Sequence, residues 1–143
     1  MEIYQLLKND HVEAKQLFNQ LQSGGGADKE SLLEKLEKEL TIHMEGEEKL
    51  FYPRLQAKFA DKVAEGIKEH NQTREHLKAV KAAKGDASKW QRSLLELMKG
   101  VDHHVQEEEG EVFPKAKSVL NPQQAEQIGQ EFQSEKQKKM TVH

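Results

Sequence analysis

Along most of the chain, apolar residues recur at steps of three and four, the spacing of one face of an α-helix. The first stripe reads Ile3, Leu7, His11, Ala14, Phe18, Leu21, and the second Leu33, Leu36, Leu40, His43, Glu47, Leu50. The third reads Val63, Ile67, His70, Arg74, Leu77, Val80, and the fourth Trp90, Leu94, Leu97, Val101, His104, Glu108, Val112. This pattern predicts helices over about 2–22, 28–58, 61–84 and 87–118, with a short fifth over about 121–139. Glycines stand where two stripes stop: Gly24, Gly25 and Gly26 after Ser23, and Gly85. Asp28 reads as an N-cap, and Asn121 with Pro122 as the cap and first-turn proline of the fifth helix. Pro53 and Pro114 predict a bend or an end late in the second and fourth helices. Short connections favour antiparallel neighbours. The expected fold class is all-α: an up-down-up-down four-helix bundle with a short C-terminal fifth helix.

Each of the four stripes passes through a histidine where an apolar residue is expected, and two of them continue into a glutamate. His43, Glu47 and Pro53 recur as His104, Glu108 and Pro114, each 61 residues on. A His and a Glu four apart on a helix lie on one face, one turn apart. The repeat is wider than this motif. Asp10, His11 and Lys15 are matched by Glu69, His70 and Arg74 at an offset of 59, and Ala64, Glu65 and Ile67 by Ala125, Glu126 and Ile128 at 61. In that register Glu131 falls where His70 stands, so the fifth helix reads as a degenerate third copy without its histidine. Two helix hairpins related by duplication are expected.

Composition narrows the chemistry. The 143 residues are expected to form a single domain over 1–143, the bundle over about 1–118. A net charge of −3 gives no basic footprint for nucleic acid, and Lys136, Lys138 and Lys139 read as a solvated helix end. With no cysteine, disulfides, thiolate ligands and Fe–S clusters are excluded. Neither a secretory signal nor a run long enough to span a membrane is visible, which makes a cytoplasmic protein the expectation.

A buried carboxylate costs several kcal/mol unless it is paired or metal-bound. Glu47 and Glu108 stand on otherwise apolar stripes, beside histidines. Imidazole nitrogens and carboxylate oxygens suit iron, manganese or zinc, and helix-borne Glu and His recur in dinuclear bundles. A lone histidine on such a face is more often a satisfied core residue; four of them, two with a glutamate one turn on, point to metal. His103 lies off the stripe and reads as exposed or as supporting its neighbour. His76 falls on another face and reads as solvated, as do Glu48, Glu109 and Glu111, and His143 as a terminal residue outside the fold. Phe51 and Phe113 read as core plugs.

The order His, His-x-x-x-Glu, His, His-x-x-x-Glu, each on its own helix, resembles the haemerythrin family, in particular its bacterial HHE cation-binding domains. The resemblance implies a cofactor of two non-haem iron ions with an oxo or hydroxo bridge. By position, His11 and His43 would hold one iron, His70 and His104 the other, and Glu47 and Glu108 would bridge. The oxygen carriers of the family have a further histidine one turn after the third-helix ligand. That place is Arg74 here, and a guanidinium does not ligate. The second bridging residue is also Glu108 at i+4, where the carriers place an Asp at i+5. The resemblance thus implies binding of dioxygen or a related small diatomic (nitric oxide) for sensing, storage or detoxification. Its alternatives are redox turnover of peroxide or nitric oxide and donation of iron for cluster repair. Lys15 and Arg74 either cap the site with positive charge or snorkel to solvent.

Overall fold

The computed structural model of the protein describes residues 1–23 and 28–141. The expected glycine break at Gly24, Gly25 and Gly26, and His143, lie outside the described residues. Among those described there is no strand. The helices are α1 (Ile3–Ser23), α2 (Lys29–Gly46), α3 (Gln56–Ala82), α4 (Ala87–Glu107), α5 (Phe113–Lys117) and α6 (Pro122–Thr141). Two wider π turns interrupt the sequence-predicted second and fourth helices, at Glu47–Phe51 and Glu108–Val112, and a 3₁₀ turn, Tyr52–Arg54, follows the first. The chain divides into two compact units, 1–58 with 116–143, and 59–115.

The first unit is built on α1, α2 and α6. Tyr4 packs edge-on against Phe51, and Asp10 meets His43, so α1 and α2 run antiparallel. Asp28 caps α2 as expected, accepting from the backbone N–H groups of Glu30 and Ser31. Asn121 and Gln124 cap α6 reciprocally, each side chain accepting from the other's backbone N–H. Gly129 lies against the backbone of Met1 to Ile3, and Lys136 reaches Asp10, so α6 runs alongside α1. Phe132 packs on Gly46 and edge-on to His43, which brings α6 across α2 as well. Ile3, Leu7, Leu21, Leu36, Phe51 and Ile128 are fully buried here. The solvated helix end expected for Lys136 and Lys139 is corrected: Lys136 bonds Asp10 and Lys139 bonds Glu45 at 3.0 Å. Their partners lie 126 and 94 residues away, beyond any local charge pattern.

The second unit is a helix hairpin of α3 and α4. Phe59, with φ −129° and ψ 45°, breaks the start of α3 where this unit begins. Gly85 takes a φ of +91° in the turn, a conformation open to glycine, and Asp86 caps α4. Contacts of Lys62 with Glu107 and Glu111, of Glu69 with His104, and of Gly100 with His76 fix the antiparallel register. His76 is thus half-buried against α4, not solvated. The buried seam of α3 runs Val63, Gly66, His70, Thr73, Leu77, Val80. The expected course through Ile67 and Arg74 is corrected. Ile67 is 37% exposed. Arg74 lies beside the seam, its Nη1 donating to Asn71 Oδ1 at 2.8 Å. Hydrophobicity favoured Ile67 over Gly66, although helix geometry brings the small residue inward.

Candidate metal centre

The histidines lie on the inner faces of their helices, and each unit brings two of them together. In the first unit the rings of His11 and His43 stand 5.1 Å apart, and His43 Nε2 lies 3.3 Å from Glu47 Oε1. In the second, the rings of His70 and His104 stand 4.8 Å apart, and His104 Nε2 lies 3.3 Å from Glu108 Oε2. Glu47 and Glu108 are both 0% exposed. The i,i+4 spacing read from the sequence therefore sets a buried glutamate beside one histidine of each pair.

Local backbone structure places the glutamates. The Glu47 N–H is shared between the carbonyls of His43 and Met44, and the Glu108 N–H between those of His104 and Val105. From each glutamate the helix widens: Tyr52 N–H reaches back five residues to Glu47 O, and Phe113 N–H to Glu108 O. Pro53 and Pro114 follow at once. A proline has no N–H, and its ring clashes with the carbonyl four residues earlier; a wide turn relieves that clash. The extra residue also turns the stripe. Phe51 and Phe113 enter the core, and Leu50 and Val112, expected on the stripe, are only half-buried.

Behind each set stands a carboxylate that was visible in the sequence repeat without a role. Asp10 Oδ2 lies 2.8 Å from His43 Nδ1, and Glu69 Oε1 lies 2.6 Å from His104 Nδ1. Both acids are held below their usual pKa. Burial, the largest single effect, would raise them, and it is outweighed by hydrogen bonds and nearby positive charge taken together, from His43 and Lys136 at Asp10 and from His104 and its neighbours at Glu69. An ionised carboxylate only accepts, so Nδ1 of each ring donates, and Nε2 is the nitrogen turned toward the glutamate. The signal was there: an acid immediately before His11 and again before His70.

The electrostatics favour a cation. His43, fully buried, would lose its charge by burial alone, yet Glu47 and Asp10 push its pKa up to about 10. Two carboxylates face one imidazole, and a proton fills the role that a metal cation can take. Neutral Nε2 with a carboxylate oxygen beside it, and Nδ1 fixed from behind by an acid, is a donor set that fits a first-row transition metal. His103 is 63% exposed, and its Nε2 lies 3.4 Å from Glu69 Oε2. It is thus both exposed and in contact with the acid behind its neighbour. Thr73, on the seam three residues after His70, donates its hydroxyl to the Glu69 carbonyl at 3.1 Å.

Comparison with known proteins gives three findings. A family profile described as "Hemerythrin HHE cation binding domain" matches residues 2–116. A crystal structure of a hemerythrin HHE cation binding domain-containing protein from Mycobacterium kansasii superposes with a TM-score of 0.88 at 22% identity, covering 97% of this chain and 87% of that one. A Nostoc sp. protein named DNA nickase is 29% identical over 140 residues, which is 96% of this chain. The chain spans only 40% of that relative's length.

Proposed function

Because the chain belongs to the hemerythrin HHE cation-binding family and shares its all-helical bundle fold, we propose that the two histidine pairs and the two buried glutamates hold a pair of non-haem irons. On this reading His11 and His43 would serve one iron and His70 and His104 the other, with Glu47 and Glu108 supplying the carboxylate donors. When bound, such a pair supplies reversible access to two oxidation states and a place for a small diatomic. The protein's own part is to bury the donors, fix the rings from behind and keep the carboxylates in place. The function supported best is binding of dioxygen or nitric oxide for sensing, storage or detoxification. The observation that carries it is the matched pair of buried glutamates, each 3.3 Å from a histidine whose other nitrogen an acid holds.

One feature favours a second reading, redox turnover of peroxide or nitric oxide. The place one turn after His70 offers Thr73 on the seam and Arg74 beside it, neither of which supplies a further imidazole. An iron with fewer protein ligands retains room for reactive exchange. The printed activity of the nickase belongs to a longer chain. With a net charge of −3 here, nucleic acid is not part of this reading.

The test is iron analysis of the reconstituted chain, followed by optical spectra of the reduced protein exposed in turn to oxygen, nitric oxide and peroxide. About two irons per chain are expected. A reversible spectral change with oxygen or nitric oxide supports the first reading. Oxidation by peroxide over many turnovers supports the second. One metal or none sinks the paired centre.

A further inference from the structure

We propose that Lys136 of α6 is a positioning residue for the metal half-site of the first unit, acting through Asp10 on His43, and that it makes the two metal positions electronically unequal. This rests on the paired-metal reading above. Lys136 Nζ lies 2.5 Å from Asp10 Oδ1, and the other oxygen of the same carboxylate lies 2.8 Å from His43 Nδ1. One acid is therefore shared between an ammonium and an imidazole. The Asp10 side chain is 10% exposed, and that of Lys136 is 30% exposed. Phe132, one turn before Lys136, stands edge-on to the His43 ring at 6.4 Å and packs against Gly46, which holds α6 at the distance the lysine needs. The family match ends at residue 116, so the lysine comes from a helix outside it.

The second unit has the same acid-to-imidazole contact, with an imidazole and not an ammonium behind it. The second oxygen of Glu69 meets His103, largely in solvent. Among the described residues no lysine meets Glu69. A carboxylate that shares its charge with an ammonium is a weaker acceptor, so it draws less on the Nδ1 proton and pushes less electron density toward Nε2. A fixed positive charge near a metal also disfavours the higher oxidation state. The two effects have the same sign. Lys136 makes the metal on His43 easier to reduce than the metal on His104.

The test is spectroelectrochemical reduction of the iron-loaded full chain. Wild type is expected to reduce in two unequal steps. Lys136→Met should move one step to more negative potential, so that at fixed mediator potential the reduced fraction of that iron falls several-fold, and leave the other step in place. Lys136→Gln, which removes the charge and keeps a donor, should move it the same way, and Lys136→Arg should restore it. With Asp10→Asn already present, Lys136→Met should add little. Lys139→Met is the control: it breaks another α6 ion pair, with Glu45, that does not lead to a histidine. A merely structural lysine would lower the melting temperature without moving the potential. An unmoved step in Lys136→Met and Lys136→Gln, or an equal shift in Lys139→Met, overturns the proposal and leaves the metal reading intact. Wild type that holds no iron overturns the metal reading itself.

Discussion

The two units carry the same donors in the same order and differ in what surrounds them. Each has a histidine preceded by an acid, a second histidine followed at i+4 by a buried glutamate, and a π turn with a proline two residues past its end. In the first unit a third helix, α6, covers the hairpin and sends Lys136 to the acid. In the second, the hairpin of α3 and α4 has no such helix within its unit, and His103 of the same hairpin meets the acid from solvent. The repeated pattern supplies the same donors in each unit; the added helix changes the charge around one of them. A metal site can thus stay constant in its donors while its properties diverge through residues that touch no metal.

The largest effect should come from removing a ligand. His43→Ala and His104→Ala should each lose bound iron, while His103→Ala should retain it, because only His104 faces Glu108. Metal analysis after reconstitution checks this. Iron kept by His104→Ala and lost by His103→Ala would shift the register by one residue.

Stripping the metal comes next. A cation bound only by the folded chain stabilises it by about 2.7 kcal/mol at a concentration a hundredfold above Kd. The stripped protein should also acquire a pH dependence. Burial lowers the pKa of His43 and the Glu47 and Asp10 carboxylates more than reverse that, lifting it from the ordinary 6.5 to about 10. A raised folded-state pKa gives stability that is complete below the unfolded value and is lost as pH climbs through the folded one. Melting of the stripped chain should therefore fall between about pH 6.5 and 10, and metal affinity should rise over the same window as the competing proton leaves. A flat melting profile for the stripped protein would remove the charged His43 from the account.

Smaller effects test the supporting acids. Asp10→Asn and Glu69→Gln should each weaken metal binding about 10–100-fold, the usual cost of losing the group behind a ligating imidazole. Calorimetric titration of both variants would show whether the two halves weigh their acids alike. Wild-type affinity in either variant would confine that acid to a structural role.

The smallest contrast concerns two glycines. A Cβ at Gly46 would meet Phe132 Cε2 at 2.5 Å, so Gly46→Ala should cost about 1–3 kcal/mol by overpacking. Gly110, inside the second π turn, has open space, and Gly110→Ala should stabilise by about 0.4–1 kcal/mol. Thermal melts of the two variants should move in opposite directions; equal shifts would mean that α6 yields where it meets α2.

Much of this was legible in the sequence because it repeats with helical spacing. The histidine-bearing stripes, the caps at Asp28 and Asn121, the burial of Phe51 and Phe113 and the burial of His104 beside an exposed His103 all follow from a period near 3.6 and from local capping chemistry. What was not legible has three physical origins. Widened turns add a residue that no α-helical period anticipates, so Leu50 and Val112 were expected where Phe51 and Phe113 lie. Small residues reach the interior without a hydrophobic signal, so Gly66 and Thr73 form the seam in place of Ile67 and Arg74. Partners distant in the chain leave no local trace, so the pairing of Lys136 with Asp10 could not be read from a helix end rich in lysine.

Gly46 has a reach beyond packing. Its missing methyl sets how closely α6 lies against α2, and with it whether an ammonium can touch Asp10. Position 46 and position 136 should then vary together across related chains: where a larger side chain replaces the glycine, the lysine has lost its purpose and should drift to other residues. A substitution with no charge, at a residue that binds nothing, would in this way set the oxidation preference of a metal. Covariation between these two columns would record that dependence in the history of the family.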